Sequence, residues 1–378
     1  MNLPWKPLLA VSAAAGSALF TAMLDCNPKL FLYERFFFDP KNGYRDRNVW
    51  IIGASSGIGS EMALQLAKAH CRCLILSSRN KVGLEDLADQ CRQHEPSCEC
   101  ICLPLDVTDY DSLESAVDQV RNRLPSLDLD MVVLNAGAGQ LCPALETDPD
   151  VVQRVFQTNA VWPMILTPLL IGNANSNGKR GTNSGLLYAQ RDDSSSSSPP
   201  SILVTSSVAS LIPVPLSAPY AAAKAAMQQY FLSLATERPD LKIDIVCPGP
   251  VDTKFHSNHI RKNDKNEKGT NTETEGSETT DQISGMEAKK KTVKKASPLK
   301  MSVERCVRLM LAAAAGSHGG VSESWIAAQP TLAALYLNKL FPGLMRSVLS
   351  RIGTKRVQMW RDGLDLYDPE SWSKGRSK

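Results

Sequence analysis

Residues 49–59 read Val-Trp-Ile-Ile-Gly-Ala-Ser-Ser-Gly-Ile-Gly, and the predicted architecture follows from them. Val49–Ile52 is an apolar run of strand-forming residues, which predicts a buried strand. The glycines that follow suit a tight turn that a pyrophosphate can approach closely. Ser60–Ala69 then predicts a helix, whose first N–H groups would face that anion. This order favours a nucleotide-binding α/β sheet, although the spacing Gly-x3-Gly-x-Gly differs from the commonest fingerprint.

Strands and helices alternate along the rest of the chain. Further strands are predicted at Leu74–Ser77, Cys100–Leu105, Asp130–Leu134, Ile202–Val204, Leu241–Cys247 and Ser324–Ile326. Further helices are predicted at Val82–His94, Ser112–Leu124, Pro149–Leu170 and Met301–Ala314. The alternation favours an α/β fold, a Rossmann-like doubly wound parallel sheet with helices on both faces. With 378 residues, of which 43% are hydrophobic, the chain is long enough to bury a large core.

The charge and the cysteines argue against some classes of function. The net charge of +3 is small and gives no reason to expect nucleic acid as a partner. None of the ten cysteines stands in a Cys-x-x-Cys pair. Cys98, Cys100 and Cys102 alternate along a predicted strand, which places them on one face and not around a metal. We therefore predict free thiols and no metal site, with a disulfide or a zinc site as the lesser alternative.

The N-terminus is apolar enough to contact a membrane. Leu8–Leu24 is an alanine-rich apolar run at the lower end of the length that spans a bilayer, and the aromatic patch Leu30–Phe38 follows it. A signal anchor, a cleaved signal peptide and a hydrophobic hairpin on the membrane surface all fit this pattern. A cleaved signal normally leads into soluble sequence, so the aromatic patch favours a retained membrane anchor.

Composition divides the chain into an anchor, a sheet domain and a C-terminal segment. Residues 1–38 are predicted as the anchor, 46–330 as the single sheet domain, and 331–378 as an apolar helical segment with a polar tail. Two polar, low-complexity insertions, 172–200 and 257–298, interrupt the sheet domain and are predicted to be disordered. The first insertion lies at the amino edge of the sheet, whereas the second leaves its carboxyl edge.

A serine, a tyrosine and a lysine after the strand Ile202–Val204 indicate acid–base chemistry. Ser207 lies close to the strand end, and Tyr220 and Lys224 lie four residues apart on a predicted helix, so that they share one face. An ammonium beside a phenol favours the phenolate, and a serine hydroxyl can hold a substrate oxygen while charge develops on it. Tyr-x-x-x-Lys alone is common and also fits an ordinary amphipathic helix.

Polar residues follow other predicted strands at the edge where parallel sheets bind cofactors. Arg79 suits a 2′-phosphate and therefore favours NADPH over NADH, with a solvated arginine as the alternative. Asp106 can accept from an adenine amino group or cap the next helix. Asn135 follows the fourth strand. Asn159 lies in an apolar helical stretch where its amide needs a partner, either structural or in an active site.

Together these motifs resemble the short-chain dehydrogenase/reductase (SDR) family over about residues 48–326, apart from the two insertions. The resemblance rests on Gly53, Gly57, Gly59, Asn135-Ala-Gly137, Asn159, Ser207, Tyr220, Lys224 and Pro248-Gly249. Within the family, the segments Cys247–Val251, Arg305–Met310, Trp325-Ile326 and Gln329-Pro330 resemble a branch of membrane enzymes. That branch consists of endoplasmic-reticulum enzymes that reduce retinoid and steroid carbonyls with NADPH.

The resemblance implies a role for each matching residue. Tyr220 would be the general acid/base, and Lys224 would assist it and bind the nicotinamide ribose. Ser207 would hold the substrate oxygen, and Asn159 would hold a water of the proton relay. The cofactor, NADPH or NADP, would contact Gly53, Ser55, Ser56, Gly57, Ile58, Gly59, Arg79, Asp106, Asn135, Tyr220, Lys224, Pro248 and Thr253.

The activity that the resemblance implies is hydride transfer from NADPH to a ketone or aldehyde of a lipophilic substrate such as a steroid or retinoid. The expected partners are that carbonyl or alcohol substrate and the endoplasmic-reticulum membrane, without nucleic acid, and a homodimer is left open. Alternatives are reduction of a 3-keto sphingoid base or another lipid ketone, and a non-catalytic NADP-binding scaffold. Ile52 and Leu134 stand where the family usually has Thr and Asn, so we expect some loss of rigidity and not of chemistry.

Overall fold

A parallel sheet forms the centre of the molecule. The computed structural model describes residues 23–123, 129–174, 180–184, 186–187, 200–256, 259–260, 300–317, 319–364, 366 and 371–372. The strands are β1 (Asn48–Ile52), β2 (Cys73–Ser78), β3 (Glu99–Pro104), β4 (Met131–Leu134), β5 (Gly172–Ala174), β6 (Arg180–Ser184), β7 (Ser201–Thr205), β8 (Lys242–Pro248) and β9 (Gly320–Ile326). Seven of them form one sheet in the order β3-β2-β1-β4-β7-β8-β9, and all neighbours in it are parallel.

Helices connect the parallel strands and cover the sheet. They are α1 (Pro28–Phe36), α2 (Pro40–Tyr44), α3 (Gly57–Lys68), α4 (Lys81–His94), α5 (Tyr110–Arg123), α6 (Pro149–Phe156), α7 (Trp162–Ile171), α8 (Ala218–Glu237), α9 (Val303–Gly316), α10 (Thr331–Leu340) and α11 (Pro342–Arg361). The chain runs from β1 outward to β3 and then returns past β1 to β4, so the direction of winding reverses between β1 and β4. The predicted doubly wound sheet is confirmed, and ligands bind such sheets at this reversal.

Strand β1 is buried along its whole length because apolar layers cover both faces of the sheet. Trp50 and Ile52 lie in one layer, with Phe231 of α8. Val49 and Ile51 lie in the other, with side chains of α3 and α9. Successive side chains of a strand point to opposite faces, which is why a continuous apolar run suits a strand that is covered on both sides. The two layers hold the carboxyl ends of the central strands in place.

The helix predicted at Pro149–Leu170 contains one irregular turn. Residues Gln157–Val161 form a π turn between α6 and α7. The backbone N–H of Trp162 donates to the carbonyl oxygen of Gln157, one residue further back than in an α-helix. The carbonyl oxygen of Thr158 instead accepts from the Trp162 indole Nε1 at 3.0 Å. Turns of this kind are frequent at functional sites, and this one contains Asn159.

The first insertion contains regular structure, which differs from the prediction of disorder. After Gly172, whose φ of 75° reverses the chain, β5 and β6 pair as a two-stranded antiparallel sheet. Leu186 and Leu187 are buried against the main core. Backbone pairing does not require a particular side-chain pattern, which explains why composition alone did not indicate it. Residues 261–299, nearly all of the second insertion, lie outside the described residues.

The N-terminal segment packs onto the sheet domain from Leu24 onward. The Glu34 carboxylate of α1 is 7% exposed and binds Arg305 and Arg308 of α9. Arg305 also binds Asp25 at 2.8 Å. The described part of the predicted anchor is therefore held against the domain. Within the described part of the chain no helix is long and apolar enough to cross a membrane, and residues 1–22 lie outside that part.

Candidate active site

The glycine turn after β1 is packed tightly against the turn after β4. Gly53 has a φ of 93°, and a Cβ there would lie 2.6 Å from the backbone nitrogen of Ala136. A Cβ at Gly59 would overlap the carbonyl oxygen of Gly53 and lie 2.9 Å from Asn135 Nδ2. That amide donates to the Gly53 carbonyl at 3.0 Å. The Ala136 backbone, the Gly53 carbonyl and the Asn135 amide therefore fill the space that side chains would take, so this tight turn requires glycine at both positions.

Other predicted cofactor residues converge on the same turn. The N–H groups of Gly53 and Ala54 donate to the Ser77 carbonyl at 2.7 and 3.0 Å, so the end of β2, where the exposed Arg79 follows, lies beside the turn. Thr253, from the loop after β8, lies over Gly57, with its Cβ 3.4 Å from the Cβ position of that glycine. The loops after β1, β2, β4 and β8 thus meet at one edge.

Asp106 follows β3 but does not cap α5. Its Oδ1 accepts from the backbone N–H of Thr108 at 2.9 Å and from the Thr108 hydroxyl at 2.8 Å. The carboxylate therefore stabilises its own turn before α5 begins at Tyr110. This geometry holds Asp106 at the carboxyl edge of the sheet, where its predicted contact with an adenine stays a prediction.

Lys224 is buried at the centre of the site. It lies one turn after Tyr220 on α8 and is 4% exposed. Its Nζ donates to the carbonyl oxygen of Thr205, at the end of β7, at 2.8 Å. It also lies 3.5 Å from the Cβ position of Gly137, after β4. Burial lowers the pKa of Lys224 to about 8, because removal from water disfavours the charged form, while the Cys247 thiolate would oppose this shift.

The side chain of Asn159 fixes the loop after β4. It is fully buried, and its Oδ1 accepts from the N–H of Ala138 at 3.2 Å. Its Nδ2 donates to the carbonyls of Ala138 at 2.8 Å and Val155 at 2.9 Å. The amide thus has structural partners, and the residue also borders Gly137 beside Lys224. The amide therefore has the partners that the structural interpretation requires, and a role in an active site stays a prediction.

Ser207 lies just beyond β7 with its hydroxyl oriented by the backbone. Its Oγ accepts from the N–H of Ala209 at 3.1 Å, at the start of a short 3-10 turn. A hydroxyl that accepts one hydrogen bond keeps its own proton for donation. The N–H of the neighbouring Ser206 donates to the Val246 carbonyl at 2.8 Å, which ties this strand end to β8. Ser207 can therefore donate to a substrate oxygen.

Phe255 borders the site, although the motifs of the sequence did not include it. The centre of its ring lies 5.7 Å from that of Tyr220, with an angle of 58° between the planes. It belongs to the loop after β8, from which the chain continues to Ile260, whose N–H donates to the Gly139 carbonyl at 2.9 Å. The signal that could have indicated it is an aromatic residue in the loop that follows a predicted strand. This loop gives the site an apolar wall.

A cavity of about 340 Å³ lies at the opposite, amino edge of the sheet. Its wall includes Arg47 and Lys242, next to Ala314 and Ala315 at the end of α9. Cations at the carboxyl end of a helix complement the helix dipole, so these two have a structural role there. The cavity is remote from Tyr220 and Lys224 and takes no part in the candidate active site.

Comparisons with known proteins agree with this geometry. A family model described as short chain dehydrogenase matches residues 47–182 and 193–264. Dehydrogenase/reductase SDR family member 7 of Homo sapiens is 30% identical over 323 residues, which cover 85% of this chain and 81% of that protein. The Mus musculus protein of the same name is 29% identical over 334 residues, covering 88% and 85%.

A more distant relative and a solved structure extend the comparison. The very-long-chain 3-oxoacyl-CoA reductase of Vanderwaltozyma polyspora is 28% identical over 252 residues, covering 65% of this chain and 66% of that protein. An alcohol dehydrogenase from the archaeon Thermococcus sibiricus, complexed with 5-hydroxy-NADP, superposes with a TM-score of 0.52 at 21% identity. That alignment covers 75% of this chain and 97% of the other, and it shows a shared fold.

Proposed function

The chain belongs to the short-chain dehydrogenase/reductase family of oxidoreductases, and from this premise we propose that it is an NADPH-dependent carbonyl reductase or alcohol dehydrogenase for lipophilic substrates. One observation carries the proposal. A buried lysine, held by the Thr205 carbonyl and one helical turn from Tyr220, lies at the edge where the glycine turn meets the loop after β4. Among the described residues no carboxylate pairs with this ammonium, and burying a charge without a counter-charge is costly, which a catalytic use of the lysine would account for.

The residues of this chain supply the acid–base part of the reaction. NADPH, when bound against the glycine turn, supplies a hydride to the carbonyl carbon. Ser207 donates to the substrate oxygen as negative charge develops there. Tyr220 gives that oxygen its proton, and the charge of Lys224 stabilises the phenolate that results. Asn159 holds the Ala138 backbone, and with it the loop that borders Lys224.

The preference for NADPH is tested at Arg79. The variant Arg79→Gln is expected to lower kcat/KM for NADPH by about 10- to 100-fold, since hydrogen bonds to charged groups contribute about 1.5–3 kcal/mol. Turnover with NADH should change little, because NADH carries no 2′-phosphate. Initial rates with both cofactors give the result. Arg121→Gln on α5 removes an exposed arginine that pairs with Asp118 and is the control. Equal losses with both cofactors would contradict the assignment of Arg79.

The glycine turn is tested by a single methyl group. Gly59→Ala is expected to raise the Kd for NADPH about 10- to 100-fold, because a displaced turn loses hydrogen bonds to the charged pyrophosphate, which contribute about 1.5–3 kcal/mol. The added Cβ would overlap the Gly53 carbonyl and push the turn away from the pyrophosphate. Titration of protein fluorescence with NADPH measures the effect. Gly343→Ala, whose Cβ would meet nothing within 4 Å, should leave the Kd unchanged. An unchanged Kd for Gly59→Ala would remove this turn from the cofactor site.

A steroid, retinoid or other lipid ketone is the proposed substrate class. Phe255 gives the site an apolar wall beside Tyr220, which supports a lipophilic substrate. The similarity to a very-long-chain 3-oxoacyl-CoA reductase supports a lipid ketone, such as a 3-keto sphingoid base, as the second candidate. NADPH oxidation by the purified full chain, over a panel of steroid, retinoid and sphingoid carbonyls, separates these candidates. A protein that binds NADPH and reduces none of these carbonyls would fit the scaffold alternative.

We also propose that the chain is held at the endoplasmic-reticulum membrane by its N-terminal residues. Leu32, Phe36 and Phe37 of the described segment are exposed, although α1 itself packs on the domain. Removal of residues 1–22 leaves the ion pairs of Asp25 and Glu34 intact and should release the protein from membranes in flotation assays. Continued flotation would shift the attachment to other exposed apolar residues, such as Phe341 and Leu344.

A homodimer stays a proposal, which sedimentation of the detergent-solubilised chain tests.

A further inference from the structure

A buried polar network contacts the segment Ser206–Ser210, which contains Ser207. Gln228 lies on α8, one turn after Lys224, and is 6% exposed. Its Oε1 accepts from the hydroxyls of Ser206 at 3.1 Å and Ser210 at 2.5 Å. Its Nε2 donates to Glu323 Oε2, on β9, at 2.7 Å. One amide therefore joins the segment that carries Ser207 to the helix that carries Tyr220 and Lys224.

Glu323 determines which way this amide points. An ionised carboxylate only accepts hydrogen bonds, so the Nε2 group of Gln228 must face it. The indole Nε1 of Trp325 donates to the other carboxylate oxygen, Oε1, at 2.6 Å, which holds the carboxylate in place. The carbonyl end of the Gln228 amide is thereby left to face the two serines. A neutral residue at position 323 would not impose this orientation.

The network holds the chain both before and after Ser207 in the sequence. Ser206 precedes it and is held by Gln228, and the Ser210 hydroxyl lies 2.6 Å from the Ser207 carbonyl oxygen as well as 2.5 Å from the Gln228 amide oxygen. Ser210 has one proton and donates it to one of these two acceptors at a time. In both cases Ser207 is held at its amino side by Ser206 and at its carbonyl by the backbone N–H of Ser210, which donates to it at 3.0 Å.

From this geometry we propose that Gln228 and Glu323 are positioning residues that fix the Ser207 hydroxyl relative to Tyr220 and Lys224. The inference rests on the proposed function, because it assigns Ser207 to the substrate oxygen. Because of their hydrogen bonds to Ser206, Ser210, Trp325 and each other, they are assigned to act through Ser207 and not on the substrate itself. A displacement of about 1 Å in a catalytic group can cost about 100-fold in rate, so a small shift of the serine has a large effect on kcat.

The first test removes the amide and keeps its shape. Gln228→Met replaces the side chain by an apolar one of similar length, which leaves both serines without their common acceptor. We expect kcat to fall about 10- to 100-fold. The Kd for NADPH should change less than about twofold, since the network contains none of the residues assigned to the cofactor. Gln229→Met, an exposed neighbour on the same helix, is the matched control and should keep the wild-type kcat.

The second test exchanges the two groups. Gln228→Glu alone places two carboxylates face to face, and Glu323→Gln alone leaves one carbonyl oxygen for two donors, Gln228 and Trp325. Both single variants should lose kcat. The double variant restores every bond, because a carboxylate at 228 accepts from both serines and from the amide at 323, whose oxygen accepts from Trp325. Recovery of kcat to within about threefold of wild type is expected from this pairing.

The outcomes separate this inference from the proposed function. If wild type is active and Gln228→Met retains its kcat, or the double variant is no better than the singles, the positioning role is wrong. If wild type reduces no carbonyl, the proposed function fails, and crystal structures of wild type and Gln228→Met decide the network. A shift of Ser207 Oγ relative to the Tyr220 hydroxyl by about 0.5 Å or more supports it, because active sites need their groups held within about that distance. An unmoved serine overturns it.

Discussion

Replacing Tyr220 by phenylalanine is expected to lower kcat for carbonyl reduction about 10²- to 10⁴-fold, the range that general acid–base catalysis contributes. The change removes one hydroxyl and keeps the ring that packs against Phe255. Without that hydroxyl the oxygen of the reduced substrate has no proton donor at the right place. Affinity for NADPH should fall by less than about tenfold, because the hydroxyl offers the cofactor one hydrogen bond of about 0.5–1.5 kcal/mol, whereas its main effect is in the transition state. Stopped-flow oxidation of NADPH measures the step.

The matched control for this variant is Tyr230→Phe. Tyr230 lies on the same helix, and its hydroxyl donates to the Met164 carbonyl at 3.4 Å, away from Lys224. It should retain wild-type kcat, so that loss of any tyrosine hydroxyl from α8 cannot explain the result. If Tyr220→Phe turns over as fast as wild type, the assignment of the general acid is wrong.

Removing the charge of Lys224 is expected to separate activity from stability. Lys224→Met should lower kcat about 10²- to 10⁴-fold, because the phenolate of Tyr220 loses the charge that stabilises it. Burial lowers the pKa of Lys224 to about 8, so below that pH the folded state carries a buried charge that the unfolded chain solvates better. In Lys224→Met the cost of burying the charge disappears, which offsets the lost hydrogen bond to the Thr205 carbonyl. The Tm at pH 7 should therefore stay level or rise. A parallel fall in Tm and kcat would instead indicate a structural role.

The pH dependence of reduction follows from the same group. The charged form of Lys224 assists Tyr220, and in the free enzyme it is lost as the pH rises through about 8. We therefore expect kcat/KM for carbonyl reduction to be highest below this pH and to fall above it, since kcat/KM reports the groups of the free enzyme. In Lys224→Arg, the guanidinium stays charged, so any remaining activity should lose this alkaline limb. A wild-type profile that is flat from pH 7 to about 10 would contradict the role of the lysine.

The fold was predictable because its signals are local. The apolar run Val49–Ile52, the glycines after it and the alternation of strands and helices required no knowledge of distant contacts. The pairing of Tyr220 with Lys224 was equally local, since helical spacing alone puts them on one face. Arrival of Ser207 at the carboxyl edge followed from the parallel strands, whose carboxyl ends meet there.

The features that were not predicted depend on contacts between distant parts of the chain. The π turn at Asn159 is stabilised by the Trp162 indole and by the Ala138 backbone. The orientation of the Gln228 amide depends on Glu323, which lies on a strand almost a hundred positions further along the chain. Glu34 lies within the predicted apolar anchor, yet in the structure it binds two arginines of α9. Spacing within a sequence carries no signal for such pairs, because the fold alone brings them together.

Hydride transfer itself can be followed with NADPH in which both hydrogens on nicotinamide C4 are replaced by deuterium. The full chain in detergent is incubated with this cofactor and the carbonyl that gives the fastest turnover, and the alcohol product is analysed by mass spectrometry. A reductase with Tyr220 as its acid forms an alcohol with one deuterium on the carbinol carbon, at a rate that collapses in Tyr220→Phe. An alcohol without deuterium, or no alcohol from any carbonyl while NADPH binds normally, would contradict the proposed reaction.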